Sequence, residues 1–247
     1  MKIISKIHQL LSIIPILFHK EGGLLYLLHP SASISSFNIN VALKKLAPDI
    51  KTLVDVGANI GQFSYSFHHF FPSSNIHSFE PTSVCYNKLV KNCSKISNMK
   101  TYNYALGSRD EKLAFFQNEH THASSALKVS DYQINSSPTT RKYKSVEVVC
   151  HKLDTLELNP TSSPLLLKLD VQGFEKEVLH GAEVFLNQVD YILLETSFIP
   201  MYDNEPLFEE INSLLKSKNF KLLAPIGFLK DKDGVLSQLD LLFVKEK

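Results

Sequence analysis

One short stretch, residues 53–61 (Leu-Val-Asp-Val-Gly-Ala-Asn-Ile-Gly), constrains the fold more than any other part of the chain. An apolar, β-branched run reaches an acid and two glycines, Asp55, Gly57 and Gly61, and a helical pattern follows. Glycine has no Cβ, so the backbone can turn sharply there and approach a ligand closely. The order of strand, tight turn and helix predicts the first unit of a nucleotide-binding α/β domain.

The residues of this turn indicate which ligand it holds. The pattern is Asp-x-Gly-x-x-x-Gly, and Asn59 stands where a dinucleotide-binding turn has its second glycine. At the end of the strand, Asp55 would place a negative charge beside any phosphate. A ligand without phosphates and with a positive amine or sulfonium fits better, which favours S-adenosylmethionine.

A second acid supports a nucleoside ligand. Residues 75–81 (Asn-Ile-His-Ser-Phe-Glu-Pro) read as the next strand, which ends at Glu80. An acid at that position can accept hydrogen bonds from both ribose hydroxyls. NAD-dependent enzymes use the same arrangement, so Glu80 indicates a nucleoside without identifying the cofactor.

Strands and helices alternate through most of the chain, which predicts a mostly parallel, doubly wound sheet. Residues 1–50 are expected to form a helical N-terminal extension and residues 51–247 a single domain. Val84, Leu89, Val90 and Cys93 mark a helix that Thr82 or Ser83 could cap. The predicted strands are 52–56, 75–80, 99–104, 112–116, 145–150, 164–169, 189–194, 220–223 and 239–244. The last two surround an Asp-Lys-Asp-Gly turn.

The middle of the chain contains an unusual polar segment, residues 117–144, with little hydrophobic pattern. Its length exceeds that of ordinary connections, so we expect it to be either functional or disordered. The Phe63, Phe67 and Phe70 side chains recur at helical spacing and are expected to lie in the core.

Charge and cysteine content restrict the partners and the compartment. The formal net charge of +1 argues against a broad phosphate-binding surface, so no nucleic-acid partner is expected. The three cysteines, Cys85, Cys93 and Cys150, lack the spacing of a zinc site or a disulfide framework and are expected to be buried thiols. A cytoplasmic location follows from this use of cysteine.

The N-terminal segment is apolar but interrupted. Between Ile3 and Phe18 the chain carries Lys6, His8 and Pro15, so no run reaches the ~20 apolar residues that a bilayer crossing needs. The segment is also unlike a secretory signal, because no small-residue cleavage site follows Phe18. We expect an amphipathic helix that packs on the domain or makes peripheral contact with a membrane surface.

Four blocks in order resemble the FkbM family of S-adenosylmethionine-dependent methyltransferases. They are residues 54–62, 79–81, 168–175 (Lys-Leu-Asp-Val-Gln-Gly-Phe-Glu) and 181–183. Two further blocks, 198–203 and 238–243, are similar to one branch of that family. The chain departs from the family at Gln172, where Glu is usual, and at Phe174, where Ala is frequent. The segment 203–206 departs as well, and these differences concern the expected acceptor site more than the cofactor.

The resemblance implies an α/β fold of class I methyltransferase type, with a seven-stranded, mostly parallel sheet and a C-terminal antiparallel hairpin. It also implies O-methylation, often of sugar hydroxyls on polysaccharides, glycolipids and natural products. We therefore expect a small-molecule or glycan acceptor. The expected cofactor-binding residues are Asp55, Gly57, Asn59, Gly61, Glu80, Asn103, Ala105, Leu106 and Asp170.

Carboxylates at predicted strand ends are the candidate catalytic groups for methyl transfer. Asp55, Glu80, Asp170 and Glu195 are expected to face one cleft, because ligands lie beyond the carboxyl ends of parallel strands. A sugar hydroxyl needs a base or a metal ion before it attacks a methyl group. Asp170 is the leading candidate for that role, with Glu195 as its partner, and together they could hold Mg²⁺. The alternative bases are His120, His122 and His151.

Three other interpretations stay open at this point. An NAD(P)-dependent oxidoreductase shares the turn and the ribose acid, but Asn59 and the lack of a Tyr-x-x-x-Lys constellation argue against it. A non-catalytic nucleoside-binding module is the second, and acids at four strand ends argue against that. N-methylation is the third, although no Asn-Pro-Pro-Tyr-type block follows the fourth strand.

Lys168 lies in an apolar strand and must find a partner such as Asp170 or Glu195.

Overall fold

The structure is a computed structural model that describes residues 13–119, 121–159, 161–231 and 234–246. Residues 13–17 (α1), Leu24–Leu27 (α2) and Ile34–Leu46 (α3) form the N-terminal helices, with breaks at Gly22 and at Pro30. The described part of the N-terminal extension is therefore helical, as expected. The N-cap of α3 is Ser33, whose side chain accepts a hydrogen bond from Ser36 N.

Ten strands and five further helices follow. The strands are β1 Thr52–Val56, β2 Asn75–Phe79, β3 Met99–Tyr102, β4 Ala105–Leu106, β5 Glu111–Asn118, β6 Tyr143–His151, β7 Leu165–Leu169, β8 Tyr191–Ser197, β9 Phe220–Lys230 and β10 Leu236–Lys245. The helices are α4 Gln62–Phe70, α5 Ser83–Asn92, α6 Asp131–Ser136, α7 Glu175–His180 and α8 Phe208–Ser217.

The main sheet has seven strands in the order β3-β2-β1-β7-β8-β10-β9. Strands β1, β2, β3, β7 and β8 are parallel, and β10 runs antiparallel to both of its neighbours, β8 and β9. This confirms the predicted seven-stranded, mostly parallel sheet with a C-terminal antiparallel hairpin.

Side chains on the two faces of the sheet build two cores, because successive residues of a strand point to opposite sides. Val54 and Val56 face one core, which α7 and α8 cover. Leu53 faces the other, which α3, α4 and the N-terminal segment cover. The Phe63, Phe67 and Phe70 stripe of α4 is buried in this second core, as expected. The N-terminal helices therefore share a core with the sheet.

A smaller sheet, in the order β4-β6-β5, flanks the main one. Between β5 and β6 lies a segment of residues 121–142, here called the lid. It contains α6 and two short 3₁₀ turns, Thr121–Ala123 and Pro138–Arg141. A bridge joins its Val129 to Tyr202, beyond β8. The long polar segment predicted from sequence therefore has defined structure in its described part.

Several local expectations need correction. The third strand ends at Tyr102 because the chain turns there before pairing Ala105 and Leu106 with β6. Glu195 lies within β8 rather than at its end, since pairing with β10 extends that strand to Ser197. On α5, Cys85 and Leu89 are buried, whereas Val84 and Val90 are exposed. All three cysteines are buried free thiols, as expected.

The N-terminal prediction falls partly outside the described residues, because 1–12 are not among them. Ile16 is buried, but Phe18, Leu24, Leu25 and Leu28 are exposed by 61% or more. In the part of the chain that the structure describes, no helix has the length and apolar character to cross a membrane.

Candidate active site

A cavity of about 500 Å³ opens at the carboxyl ends of the parallel strands, where ligands bind in folds of this type. Of the predicted cofactor-binding residues, six line it: Gly57, Asn59, Glu80, Ala105, Leu106 and Asp170. The predicted catalytic residue Glu195 also lines it. Asp55, Gly61 and Asn103 do not, and each is placed elsewhere for a definite reason.

The glycine turn is shaped by its contact with β7. Gly57 has a φ of +81°, and a Cβ at this position would lie 2.0 Å from the carbonyl oxygen of Asp170. The amides of Gly57 and Ala58 both donate to the carbonyl oxygen of Phe79, at 3.0 and 2.9 Å. Any larger residue at position 57 would push β1 away from β7. Gly61 precedes α4 behind this turn, at a φ of +92°.

Glu80 fixes the other side of the turn. Its Oε2 accepts from the Asn59 amide at 3.0 Å, and its Oε1 accepts from the amide and the hydroxyl of Thr82, at 2.9 and 2.5 Å. Thr82 thus binds Glu80 instead of capping α5 through its side chain. Burial raises the pKa of Glu80, against the effect of these hydrogen bonds. Each carboxylate oxygen keeps lone pairs that a ribose hydroxyl can use.

The end of the cavity beside β2 and β4, where adenine is expected, is apolar and aromatic. Phe79, Tyr104, Ala105 and Leu106 line it. Asn103 points away, because its side-chain amide donates to the carbonyl oxygens of Glu80 and Pro81, at 3.0 and 3.1 Å. The expectation that Asn103 flanks the ligand is therefore corrected: it holds the backbone at the end of β2.

Asp55 lies beneath the turn and is fully buried. Its Oδ1 is 2.9 Å from Lys168 Nζ, and its Oδ2 accepts from the Ser64 hydroxyl at 2.6 Å. Because Lys168 balances its charge, Asp55 does not present a free negative charge to a ligand. Burial lowers the pKa of Lys168, but the carboxylates of Asp55 and Asp170 outweigh that effect and raise it. Sequence reasoning had offered Asp170 or Glu195 as the partner of Lys168 and missed Asp55.

A chain of side-chain hydrogen bonds next to this ion pair joins β8 to the residues that follow β7 and β8. Gln172 Nε2 donates to Asp170 Oδ1 at 2.7 Å and to Glu195 Oε2 at 3.0 Å. The Tyr202 hydroxyl donates to Gln172 Oε1 at 2.7 Å. Carboxylate oxygens accept hydrogen bonds, so the Gln172 side chain must turn its N–H₂ group toward Asp170 and Glu195. Gln172, at a φ of +57°, was noted in the sequence only as a departure from the family.

The surroundings shift the pKa values of Asp170 and Glu195 in opposite directions. Burial acts to raise the pKa of Asp170, but the Lys168 ammonium and the Gln172 amide outweigh it and hold that pKa below its usual value. Burial, together with the charges of Asp170 and Asp240, raises the pKa of Glu195 well above its usual value. The Lys168 ammonium therefore favours the ionised form of Asp170, whereas burial favours the protonated form of Glu195.

Asp170 and Glu195 do not fit the magnesium ion that was expected between them. Mg²⁺ binds oxygen atoms, but the N–H₂ group of Gln172 lies between the two carboxylates and donates to both. The second oxygen of Asp170 faces Lys168 Nζ at 3.4 Å. Within the described ranges, no group of three or more His, Cys, Asp and Glu side chains is arranged to hold a metal ion.

Two of the three histidines proposed as alternative bases are described, and of these His122 lies at the cavity. Its ring nitrogens contact Asn59 Nδ2 at 3.3 Å and Gln62 Nε2 at 3.0 Å, which joins the lid to the glycine turn. His151 binds Asp110 at 2.9 Å outside the cavity. His120 lies outside the described residues.

Comparison with known proteins agrees with this architecture. The fold is similar to the crystal structure of a proposed RNA methyltransferase from Pyrococcus horikoshii, with a TM-score of 0.50, 8% identity and coverage of 87% of this chain and 84% of that one. The fold and the nucleoside-binding turn define a class I, S-adenosylmethionine-dependent methyltransferase.

Two curated relatives and a family model narrow the assignment. Methyltransferase 1 of Beauveria bassiana (strain ARSEF 2860) is 27% identical over 186 residues, which cover 70% of this chain and 73% of the relative. Methyltransferase sdnD of Sordaria araneosa is 26% identical over 199 residues, covering 71% and 75%. The model described as "Methyltransferase FkbM domain" matches residues 55–222. The chain belongs to the FkbM methyltransferase family, and this sets aside the oxidoreductase and the non-catalytic module.

The residues present fit S-adenosylmethionine. Asn59 Oδ1 is buried at the glycine turn without a hydrogen-bond partner among the described residues, so it can accept from the amine of the cofactor's methionine part. Glu80 would hold the ribose, and the aromatic end of the cavity would hold the adenine.

Proposed function

We propose that the chain is an O-methyltransferase that acts on a sugar hydroxyl of a surface polysaccharide, a glycolipid or a related glycan. The observation that carries this proposal is the lining of the cavity beyond the glycine turn. It includes a set of neutral hydroxyl and amide side chains from α3 and its N-cap, the lid and β10: Ser33, Ser36, Gln133, Ser137, Thr139, Thr140 and Gln238. Such groups both donate and accept hydrogen bonds, as recognition of a polyhydroxylated acceptor requires.

When bound, S-adenosylmethionine supplies an electrophilic methyl group, so the chain itself must orient the acceptor and remove its proton. Asp170 and Glu195 lie at the border between the cofactor turn and the neutral hydroxyl lining. Gln172 and Tyr202 hold these two acids in position through the hydrogen-bond chain. The surroundings favour the ionised form of Asp170 and the protonated form of Glu195, so the pair is suited both to accept from and to donate to acceptor hydroxyls.

A panel assay tests this proposal. The purified protein is incubated with S-adenosylmethionine and with methyl glycosides, catechols or small amines, and released S-adenosylhomocysteine is measured. We expect turnover with glycosides and an O-methyl signal in the product by NMR. Turnover restricted to amines would instead support N-methylation and would contradict the proposal. Asp170→Ala should lower turnover more than it weakens S-adenosylhomocysteine binding, whereas Glu80→Ala should do the reverse.

We also propose that the N-terminal face contacts a membrane surface, which would bring a glycolipid acceptor close to the cavity. Four large apolar side chains, Phe18, Leu24, Leu25 and Leu28, are exposed within a short helical segment, a pattern typical of interfacial helices. Co-sedimentation with anionic lipid vesicles is the test, with Phe18→Ser/Leu25→Ser as the variant. An unchanged bound fraction in that variant would refute the contact.

A further inference from the structure

Asp240 is an acid that the sequence interpretation did not include in the site. It lies on β10, directly opposite Glu195 of β8 and Gly227 of β9. Lys168 pairs in register with Leu193, and Leu193 pairs with Leu242. Because alternate residues of a strand share a face, Asp170, Glu195 and Asp240 all project on the same side as Lys168. Asp240 lines the cavity beside them.

Strand β9 leaves room for this carboxylate. A Cβ on Gly227 would lie 2.0 Å from Asp240 Oδ2 and 2.9 Å from its Cγ. No side chain could therefore stand at position 227 without displacing the carboxylate from its place against β9.

Asp240 also differs from the neighbouring acids in having no partner. Asp55, Asp170 and Glu195 each bind a cation or an amide. Among the described residues, the Asp240 carboxylate accepts no hydrogen bond and forms no ion pair. Its oxygens are therefore free to bind a molecule in the cavity.

Its electrostatic surroundings suit a base. Burial, together with the charge of Asp170, raises the pKa of Asp240 to about 6, and Lys168 acts against this increase. The charged and titratable groups that face it are Lys168 and Asp170 from β7 and Glu195 from β8, while β9 presents only Gly227. A group with a pKa just below neutral pH is ionised and still accepts a proton readily.

We propose that Asp240 is the general base of the methyl transfer, a role that rests on the proposed O-methylation. As the acceptor oxygen forms its bond to the methyl carbon, the methyl–sulfur bond breaks and its electron pair stays on sulfur. The hydroxyl proton passes to the Asp240 carboxylate and is later released to water. Asp170 and Glu195 then position the acceptor, because Lys168 and the Gln172 amide already hold these two side chains in place.

The test needs no knowledge of the acceptor. Sinefungin carries an ammonium group where the cofactor carries its methyl group, whereas S-adenosylhomocysteine carries nothing there. A free carboxylate facing that point should favour sinefungin by a charge-assisted hydrogen bond, worth about tenfold or more in affinity. We would measure both affinities by calorimetry between pH 5 and 8, in the wild type, in Asp240→Asn and in the control Asp49→Asn, an exposed residue that does not line the cavity.

We expect the sinefungin preference of the wild type to fall as the pH drops through about 6. Asp170, with its lowered pKa, would stay charged in that range and cannot produce the change. In Asp240→Asn the preference for sinefungin should fall by about tenfold, and the affinity for S-adenosylhomocysteine should stay within about twofold of the wild type. Asp49→Asn should match the wild type. On an accepted glycoside, Asp240→Asn should lower kcat by about 10²–10⁴-fold.

Each other outcome is decisive. If S-adenosylhomocysteine binds but the preference for sinefungin changes neither with pH nor in Asp240→Asn, the role of Asp240 is refuted. If Asp240→Asn does not fold, Asp240→Ser takes its place, because Glu80 and Glu195 also have raised pKa values in this cavity and the wild-type pH dependence alone would not assign the change to Asp240. A normal sinefungin response with no turnover on any glycoside would overturn the proposed acceptor and leave the placement of Asp240 supported.

Discussion

Removal of the buried cation Lys168 should destabilise the protein strongly. The Lys168 side chain is 8% exposed, and its ammonium lies 2.9 Å from an Asp55 oxygen that is wholly buried. Breaking a buried pair by removing one partner costs about 3–5 kcal/mol, because the other charge stays buried without compensation. We therefore expect Lys168→Met to lower the free energy of unfolding by about 3–5 kcal/mol, which corresponds to a Tm decrease of about 6–20 °C for a chain of this size.

The measurement is urea unfolding followed by far-UV circular dichroism, since the chain contains no tryptophan. The control is Lys218→Met, which removes a surface pair with Glu183 whose side chains are 32% and 57% exposed, so it should cost about 1 kcal/mol or less. The double variant Lys168→Met/Asp55→Asn should recover much of the loss, because no charge is then stranded. A loss below about 1 kcal/mol for Lys168→Met, at an unchanged m-value, would refute this account of the ion pair.

Three further predictions concern the cofactor turn and the pH dependence of stability. Glu80→Ala should weaken S-adenosylhomocysteine binding about 10–100-fold, as measured by calorimetry. The change removes the carboxylate that accepts hydrogen bonds from the ribose hydroxyls and from the Asn59 amide. Gly57→Ala should cost about 2 kcal/mol or more in urea unfolding, since its Cβ would meet a backbone oxygen, whereas Gly234→Ala, in open space at a φ of +83°, should cost only about 1 kcal/mol. Burial raises the pKa of Glu175 to about 8, against the backbone amides that bind it. The folded state therefore retains a proton that the unfolded state loses, so stability falls as the pH rises from about 4.5 to about 8. Glu175→Gln should flatten that fall, and an unchanged pH profile would contradict it.

The cofactor half of the site could be predicted because it is local in sequence. The glycine turn and the acid after the next strand each follow directly from a strand end, and Gly57, Asn59 and Glu80 all line the cavity. The prediction fails for Asn103 because the side-chain amide folds back onto backbone carbonyl oxygens. Residue type and spacing do not determine that choice.

The part of the cavity around Asp240 and Lys168 could not be predicted because it depends on pairing between distant strands. Asp240 comes beside Glu195 only through the antiparallel register of β10 with β8, and Asp55 meets Lys168 only because β1 and β7 are neighbours. The local pattern of β10 showed an acid between apolar residues but not what it would face. The lid was recognised as unusual from its polarity and length, whereas its contacts with Tyr202 and with the glycine turn required the structure.

The position of β10 inside the sheet has a consequence for biosynthesis. In the main sheet, β9 is bonded only to β10, and β10 separates it from β8. When β9 leaves the ribosome it therefore has no strand to join, and the edge of β8 stays open until β10 has also been made. Nascent chains that stop between these two strands would expose two unpaired strand edges, which are sites of aggregation and of chaperone binding. The same strand supplies Asp240, so an incomplete chain would lack both the closed sheet and the base that we propose.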